Sequence, residues 1–495
     1  MRYRPHITLL FLLSVFTLLL FTSLLIPKDG LKIFGDMNIR FFQAEELFTP
    51  QNEYADISDI IAQNQFVNDS LLGNTQIDST TLIGFDTIRA NIDSLKQSVR
   101  RIEFPERNNQ ILYPVFEAME KAQSQGKVIR IMHYGDSQIE GDRITSFLRN
   151  RLQKKFGGSG VGLIPARQLY DFSFSIFHDA SENWNRYTLY GKRDTNITHN
   201  RYGILAGFST FTAQPVDTAR LIREKQSAWI SITESPYSYQ NTKKFDQCRL
   251  FYGNNTDSFS VKLTVNDELA DEGVYAPTMD LHQIQWFFNE PVNNVHFELE
   301  STISPEVYGI ALDAKSGVAV DNIAMRGCAG LVFNKTNAAL FSELVKKLEV
   351  KLMILQFGGN VVPNIRTNYS FYERWFYAQL AFIKQHAPGV QIIVIGPSDM
   401  SRKVKNRYES YPNIELIRDA LKKATFRANA AYWDMYEAMG GQNSMPSWVF
   451  AEPSLATKDF VHFTPRGAKI IANMFYNAFM YEYVLYGRNK SLVAK

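Results

Sequence analysis

The chain of 495 residues contains only two cysteines, Cys248 and Cys328, which lie far apart and form no CxxC pair. This scarcity excludes a disulfide framework and a cysteine-rich metal site, because both need several closely spaced cysteines. A single disulfide between the two stays open for an oxidising compartment. The favoured interpretation is that both are small, buried apolar side chains.

The sequence also has no large excess of positive or negative charge. The 53 Lys and Arg residues nearly balance the 50 Asp and Glu residues, the net charge is +3, and no long basic run occurs. Nucleic acid is therefore not expected as a partner, because phosphate backbones bind concentrated basic surfaces. The chain has eight histidines, none in an HxxxH or His/Cys spacing. We therefore predict no metal site and no cofactor.

Charged residues are missing altogether from residues 7–26, a run of apolar residues that follows Arg2 and Arg4. As a helix, this run spans the ~30 Å of a hydrocarbon core. No small-residue cleavage pattern follows it, and the missing cysteine excludes a lipoprotein anchor. We expect an uncleaved signal anchor in a bacterial inner membrane, with the remaining chain periplasmic or otherwise extracytoplasmic. A long, cleaved signal peptide is the alternative.

Changes in polarity and in apolar periodicity divide the chain into segments. Residues 1–27 form the predicted anchor, and the polar residues 28–105 read as a linker or stalk. Amphipathic helices alternate with buried strands in 106–167 and again in 316–495, which predicts an α/β domain. Between them, 168–315 has short alternating strands such as "SFSVKLTVND". This segment is predicted to be an all-β sandwich inserted into the α/β domain.

Strands that alternate with helices predict a parallel sheet with right-handed crossovers. Ligands of such sheets bind at the carboxyl ends of the strands. The buried runs "VIRIMHYG", "KLMILQFG" and "VQIIVIGPS" lead to Ser137, to residues 358–360 and to residues 397–398. We expect a functional site at this edge of the sheet.

Ser137 follows the first of these strands and suits either a helix cap or a nucleophile. A serine nucleophile needs a base, an acid that orients the base, and donors for the oxyanion. His462 in "KDFVHFTPRGA" lies three residues after Asp459, a spacing that lets a carboxylate orient an imidazole. His133 is nearer to Ser137 in sequence, but it lies within the strand and is expected to be a core histidine.

Three blocks, "GDS" at 135–137, "GGN" at 358–360 and "DFVH" at 459–462, resemble the ordered motifs of the SGNH (GDSL-type) hydrolases. A glycine block, "VDNIAMRGCAG", lies between the first two. The resemblance covers about 106–165 and 316–485, and it implies a flavodoxin-like, three-layer α/β/α fold. The chain departs from the family pattern at Val361, where an Asp usually follows the Asn.

The resemblance also implies roles for individual residues. Ser137 corresponds to the nucleophile, His462 to the base and Asp459 to its orienting acid. The oxyanion hole would consist of the Ser137 and Gly327 backbone amides, with Gly330 as second choice, and the Asn360 side chain. Asp136 is expected only to support the turn, and Asp142 only to start the following helix.

An SGNH hydrolase with a β-sandwich insert resembles the peptidoglycan O-acetylesterases, in which the insert looks like a carbohydrate-binding module. Most aromatic residues of the insert are expected in its core, so no sugar contact is assigned. The predicted function is an exported, membrane-anchored serine esterase that removes acetyl groups from a cell-envelope or extracellular polysaccharide. The alternatives are an O-acetyltransferase supplied by a membrane partner, and a glycan-binding envelope protein with an inactive site.

Overall fold

The computed structural model describes residues 5–25, 31–34, 37–39, 54–64, 99–106, 108–212 and 224–493. The chain falls into two compact units, 1–54 and 55–495. The first contains helix α1 (Pro5–Leu25) and an antiparallel strand pair, β1 (Leu31–Phe34) and β2 (Met37–Ile39). Within the described part of the chain, no helix combines the length with the apolar character that a membrane span requires. The anchor stays a prediction, and most of the predicted stalk lies outside the described residues.

The second unit mixes helices and strands. Its described helices are α2 (Ser58–Gln63), α3 (Tyr113–Lys121), α4 (Thr145–Phe156), α5 (Gln240–Lys243), α6 (Ala338–Lys347), α7 (Ser370–His386), α8 (Ile414–Arg427), α9 (Met435–Ala438), α10 (Ser444–Phe450) and α11 (Pro465–Val493). Its described strands are β3 (Val128–Gly135), β4 (Gly162–Ile164), β5 (Ile176–Ala180), β6 (Asn185–Thr188), β7 (Gly207–Thr210), β8 (Gln226–Glu234), β9 (Phe245–Gly253), β10 (Phe259–Val265), β11 (Glu268–Tyr275), β12 (His282–Val292), β13 (Asn294–Ser301), β14 (Glu306–Asp313), β15 (Gly317–Ala324), β16 (Val350–Gln356), β17 (Gln391–Ile395), β18 (Ser401–Val404), β19 (Arg407–Ser410) and β20 (Ala431–Trp433).

Five strands form a parallel sheet in the spatial order β15-β3-β16-β17-β20. Every neighbouring pair in this sheet runs parallel. In chain order the arrangement is 2-1-3-4-5, which is the flavodoxin-like order of doubly wound sheets. The predicted α/β class with a parallel sheet is confirmed. The short edge strand β20 was not among the predicted strands.

Alternate residues of β3 serve two different cores, because side chains of a strand point to opposite faces. Ile129 and Ile131 pack in a cluster with residues of α3, α4 and α11. Met132 and Tyr134 pack in a second cluster with residues of α6, α7 and α8. The parallel sheet is thus covered by helices on both faces, as a continuous apolar strand requires.

Two antiparallel sheets precede β15 in the chain. Their strand orders are β11-β10-β13-β8-β5 and β12-β9-β14-β7-β6, with β4 also paired to β14. Strand β10 buries every second residue, and its apolar face shares one core with β9, β12 and β14 of the other sheet. Strand β14 is buried along its whole length, because Ile310 faces that core while Ala311 faces the cluster that contains Met132.

A buried ion network joins β14 to the parallel sheet. Arg130 of β3 donates to Asp313 of β14 at 2.5 Å and also to Asp321 of β15. Arg249 of β9 adds a second cation to Asp313 at 3.1 Å. Burial raises the pKa of Asp321 to about 6, although Arg130 and the Leu163 N–H act in the opposite direction. Such groups stay charged inside a protein only when they are paired.

We expect Arg130→Met to lower the free energy of unfolding by about 3–5 kcal/mol, because it leaves two buried carboxylates without this cation. Urea denaturation followed by circular dichroism measures the change. Lys225→Met is the control, since it removes a cation from an ion pair with Glu300 whose side chains are 70% and 45% exposed. Exposed pairs contribute less than ~1 kcal/mol. Equal losses in both variants would contradict a structural role for the Arg130 network.

Candidate active site

Strand β3 delivers Ser137 to the carboxyl edge of the parallel sheet. The strand ends at Gly135, and Asp136 continues as extended backbone before a 3-10 turn over Ser137–Asp142. Asp136 Oδ1 accepts a hydrogen bond from the Gln138 N–H at 3.0 Å. The cap of this turn is therefore Asp136 and not Ser137, which leaves the half-buried serine hydroxyl for another partner.

That partner is His462. Ser137 Oγ lies 2.8 Å from His462 Nε2, and His462 Nδ1 lies 2.7 Å from Asp459 Oδ2. The structure thus brings Ser137 to the Asp459–His462 pair that the sequence motifs indicated, although more than 300 residues separate them in the chain. A hydroxyl, an imidazole and a carboxylate in this chain of contacts form the arrangement that activates a serine for nucleophilic attack.

The Asp459 carboxylate is held by its own loop. Asp459 Oδ1 accepts hydrogen bonds from the Thr457 hydroxyl at 2.6 Å, from the Val461 N–H at 2.9 Å and from the His462 N–H at 3.0 Å. Burial raises the pKa of Asp459, but the hydrogen bonds from Thr457, His462 and Val461 outweigh it and lower the pKa to about 2. The carboxylate therefore stays charged and can stabilise an imidazolium.

A short hairpin supports the same loop. Phe460 has a left-handed backbone (φ 59°), a conformation that costs energy for a bulky residue. Its ring stacks on Tyr408 of β19 with centroids 3.6 Å apart, and its carbonyl accepts a hydrogen bond from the Ser401 N–H of β18 at 3.1 Å. This hairpin was not predicted, because its strands have four residues each and no apolar alternation.

Gln138 connects the serine turn to the histidine loop. Its Nε2 donates to the Val461 carbonyl at 2.6 Å and to Ser398 Oγ at 3.3 Å. Val461 precedes His462, and Ser398 follows the end of β17. This buried side chain therefore fixes the separation between nucleophile and base. The sequence motifs gave Gln138 no role, although its position directly after Ser137 was available as a signal.

Asn360 lies on a 3-10 turn, Gly359–Val361, directly after β16. Its Nδ2 donates to Asp136 Oδ2 and to the Cys328 carbonyl, both at 3.2 Å. Burial raises the pKa of Asp136 to about 6, while the Gln138 N–H, the charge of His462 and the Asn360 amide lower it. Asp136 thus orients the Asn360 amide in addition to capping the serine turn, which is more than the sequence assigned to it.

The two candidate backbone donors differ in their surroundings. Gly327 sits in an exposed turn that is closed by a hydrogen bond of 3.0 Å from the Cys328 N–H to the Met325 carbonyl. Gly330 is buried, and a Cβ added to it would lie 2.8 Å from the Phe357 ring. Gly327 is therefore the better candidate for contact with substrate, and Gly330 serves close packing.

The remaining predicted polar residues have structural partners. His133 is buried between Thr145 Oγ1 at 2.9 Å and Gln356 Oε1 at 3.1 Å, and burial lowers its pKa to about 4. It is a neutral core histidine, as expected. Asp142 forms a buried salt bridge of 2.5 Å with Arg149 and starts no helix, because α4 begins at Thr145. The two cysteines are buried free thiols.

Comparison with known proteins adds two findings. Residues 302–470 match the GDSL-like Lipase/Acylhydrolase family, and this range contains Asn360, Asp459 and His462, while Ser137 precedes it. No curated protein sequence matches the chain.

Among solved structures, a peptidoglycan O-acetylesterase is similar with a TM-score of 0.57 and 18% identity, over 75% of this chain and 96% of that chain. At this identity the similarity concerns the fold. The salicylyl-acyltransferase SsfX3 from a tetracycline biosynthetic pathway has a TM-score of 0.23 and 12% identity, over 50% of this chain and 80% of that chain. The acetyl xylan esterase AlAXEase has a TM-score of 0.26 and 13% identity, over 32% and 81%. The last two similarities are too weak to inform the fold.

We expect Asp459→Asn to lower kcat for hydrolysis of p-nitrophenyl acetate by about 10⁴-fold, because the amide favours the wrong imidazole tautomer. Steady-state kinetics at pH 8 measure the loss. Asp419→Asn is the matched control, since its side chain is 49% exposed and that of Asp459 is 47% exposed. A small effect of Asp459→Asn, similar to that of the control, would show that this carboxylate does not orient the base.

We expect Asn360→Ala to lower kcat by ~10²–10³-fold, the usual cost of one oxyanion donor. Asp136→Asn keeps an oxygen for the Gln138 N–H but removes the carboxylate that orients Asn360. This variant should lower kcat by about tenfold, as expected for the loss of one hydrogen bond to a charged group. In the double variant, the second change should cost almost nothing, because Asp136 acts through Asn360. Additive losses would refute this coupling.

Proposed function

We propose that this chain, in which residues 302–470 match the GDSL-like Lipase/Acylhydrolase family, is an exported serine esterase that removes O-acetyl groups from a cell-envelope or extracellular polysaccharide. The observation that carries the proposal is the continuous contact from Ser137 Oγ through His462 to Asp459. Export is inferred from the apolar run at residues 7–26.

The first half of the reaction forms an acetyl-enzyme. His462 Nε2 accepts the proton of Ser137 as Oγ attacks the ester carbonyl carbon. The Asn360 N–H that donates to the Cys328 carbonyl would turn to the negative oxygen of the tetrahedral intermediate, which the backbone amides of Ser137 and Gly327 would also bind. The carbon–oxygen bond to the sugar then breaks, and the protonated His462 returns its proton to the leaving sugar hydroxyl.

The second half releases acetate. Water gives a proton to His462 and attacks the acetyl carbonyl, and the bond to Ser137 Oγ breaks as the proton returns to the serine. The charged Asp459 stabilises the imidazolium in both halves. No metal or cofactor takes part in these steps.

The choice of an acetylated polysaccharide rests on two supports. The fold resembles that of a peptidoglycan O-acetylesterase over 75% of this chain and 96% of that chain. In addition, the carboxyl edge of the parallel sheet, where the triad lies, is open to solvent, since Asp459 and Asn360 are exposed. An open edge suits an ester group that is attached to a bulky polymer.

We expect Ser137→Ala to lower the release of acetate from O-acetylated glycans by about 10⁴-fold or more. The full-length protein in detergent is incubated with O-acetylated peptidoglycan and O-acetylated xylan, and free acetate is measured. Ser124→Ala removes an exposed hydroxyl at the end of α3 and is the control. Full activity in Ser137→Ala would contradict the proposed mechanism.

The same assay separates hydrolysis from transfer. An acyl-enzyme that meets a sugar hydroxyl in place of water forms a new ester and releases no acetate. Mass spectrometry of an added, unacetylated glycan detects this product. Acetylated product without free acetate would show a transferase, and neither product from the wild type would favour a glycan-binding protein with an inactive site.

A further inference from the structure

A groove with excess positive charge adjoins the catalytic edge. A cavity of about 250 Å³ is lined by Glu140, Tyr170, Arg186, Lys192 and Arg326, among others. A second cavity of about 490 Å³ continues along β6 and shares Arg186, Thr188 and Lys192 with the first. Because they share these residues, we describe the two cavities as one basic groove.

The inner end of the basic groove is lined by residues that are close in sequence to the candidate oxyanion donors. Glu140 belongs to the 3-10 turn that begins at Ser137, and Arg326 directly precedes Gly327. The segment that follows Tyr170 is held at this turn, because the Phe174 N–H donates to the Gly141 carbonyl at 2.9 Å. A polymer whose ester group reaches Ser137 would therefore extend into the groove.

The charges in the groove do not cancel. Arg326 is paired with Glu140 through contacts of 2.5 and 2.7 Å. At the outer end, Arg193 donates to the Ile197 and His199 carbonyls, and Asp194 is the only acid in the lining of the second cavity. Among the described residues, no carboxylate lies within 4.0 Å of Arg186 or Lys192. Arg186 Nη1 donates to the Arg167 carbonyl at 3.3 Å, but among the described residues the charges of Arg186 and Lys192 have no carboxylate partner and can attract an anion.

The shape of the groove favours a chain-like ligand over a small ester. Its two cavities, of about 250 and 490 Å³, are together much larger than an acetyl group, and both are lined by residues of the edge strand β6. Tyr170 lines the inner part, where an aromatic face suits the apolar face of a sugar ring. Cations spaced along such a groove are suited to anionic groups that recur along a polymer.

We propose that the substrate is an anionic polysaccharide, whose carboxylate or phosphate groups bind Arg186 and Lys192 while a neighbouring O-acetyl group reaches Ser137. This inference rests on the proposed esterase function and narrows its substrate class. It assigns Arg186 and Lys192 to specificity, with no part in the bond-breaking steps.

The kinetic test compares two forms of one polymer. O-acetylated polygalacturonate is acidic, and its methyl-esterified form carries the same acetyl groups without the charge. We expect kcat/KM for acetate release to be about tenfold higher for the acidic form and to fall with added NaCl. Arg186→Gln/Lys192→Gln should abolish this preference and leave hydrolysis of p-nitrophenyl acetate unchanged. Equal rates on both polymers would overturn the inference and keep the esterase.

The control is Lys225→Gln/Lys262→Gln, which removes two exposed cations of the antiparallel sheets and should keep the preference. A binding measurement makes the test independent of turnover. Calorimetry with Ser137→Ala should give a Kd about tenfold lower for the acidic polymer, and this difference should disappear in the Arg186→Gln/Lys192→Gln background. Equal Kd values for the two polymers would overturn the groove assignment, whereas a wild type that binds the acidic polymer but releases no acetate would overturn only the esterase.

Discussion

The buried Arg130 cation is the interaction on which the other parts of the site depend. It is the third residue of β3 and binds one carboxylate on β15 and one on β14. Strand β3 ends at the serine turn, and β15 leads to the turn that contains Gly327. Because an isolated buried charge is very unfavourable, the three strands have few alternative registers. The network therefore fixes the distance between the strands that carry the nucleophile and one candidate oxyanion donor.

Two carboxylates at the site have opposite environments and opposite roles. Asp459 is half exposed and receives hydrogen bonds from its own loop, so its pKa is lowered to about 2. Asp136 is buried, so its pKa is raised to about 6, and it faces the Asn360 amide. The first must be charged to support an imidazolium, while the second acts as a positioning residue. The difference arises from burial and hydrogen bonding, since the two side chains are chemically the same.

The sequence was sufficient for the parts of the site that follow local rules. Strand ends, the Asp459-x-x-His462 spacing and the apolar periodicity of β3 all depend on residues close together in the chain. Gln138, the contact of Asp136 with Asn360 and the β18–β19 hairpin were missed for the opposite reason. Gln138 contacts Val461 across 323 positions, and Asp136 contacts Asn360 across 224 positions. No local pattern encodes such a contact, and the left-handed Phe460 is tolerated only because Tyr408 packs against it.

The order of the chain explains why the basic groove and the triad belong together. The nucleophile turn precedes the antiparallel sheets, and the base, its acid and Asn360 follow them. The family match at 302–470 accordingly begins after the serine. Strand β14 leads into β15, which pairs with β3. The serine turn after β3 and the Arg326 turn after β15 therefore lie at the same edge of the parallel sheet. Glu140 and Arg326 form their ion pair there, at the inner end of the groove. The segment between the nucleophile and its partners thus leaves the parallel sheet continuous, and it would provide one wall of the proposed substrate groove.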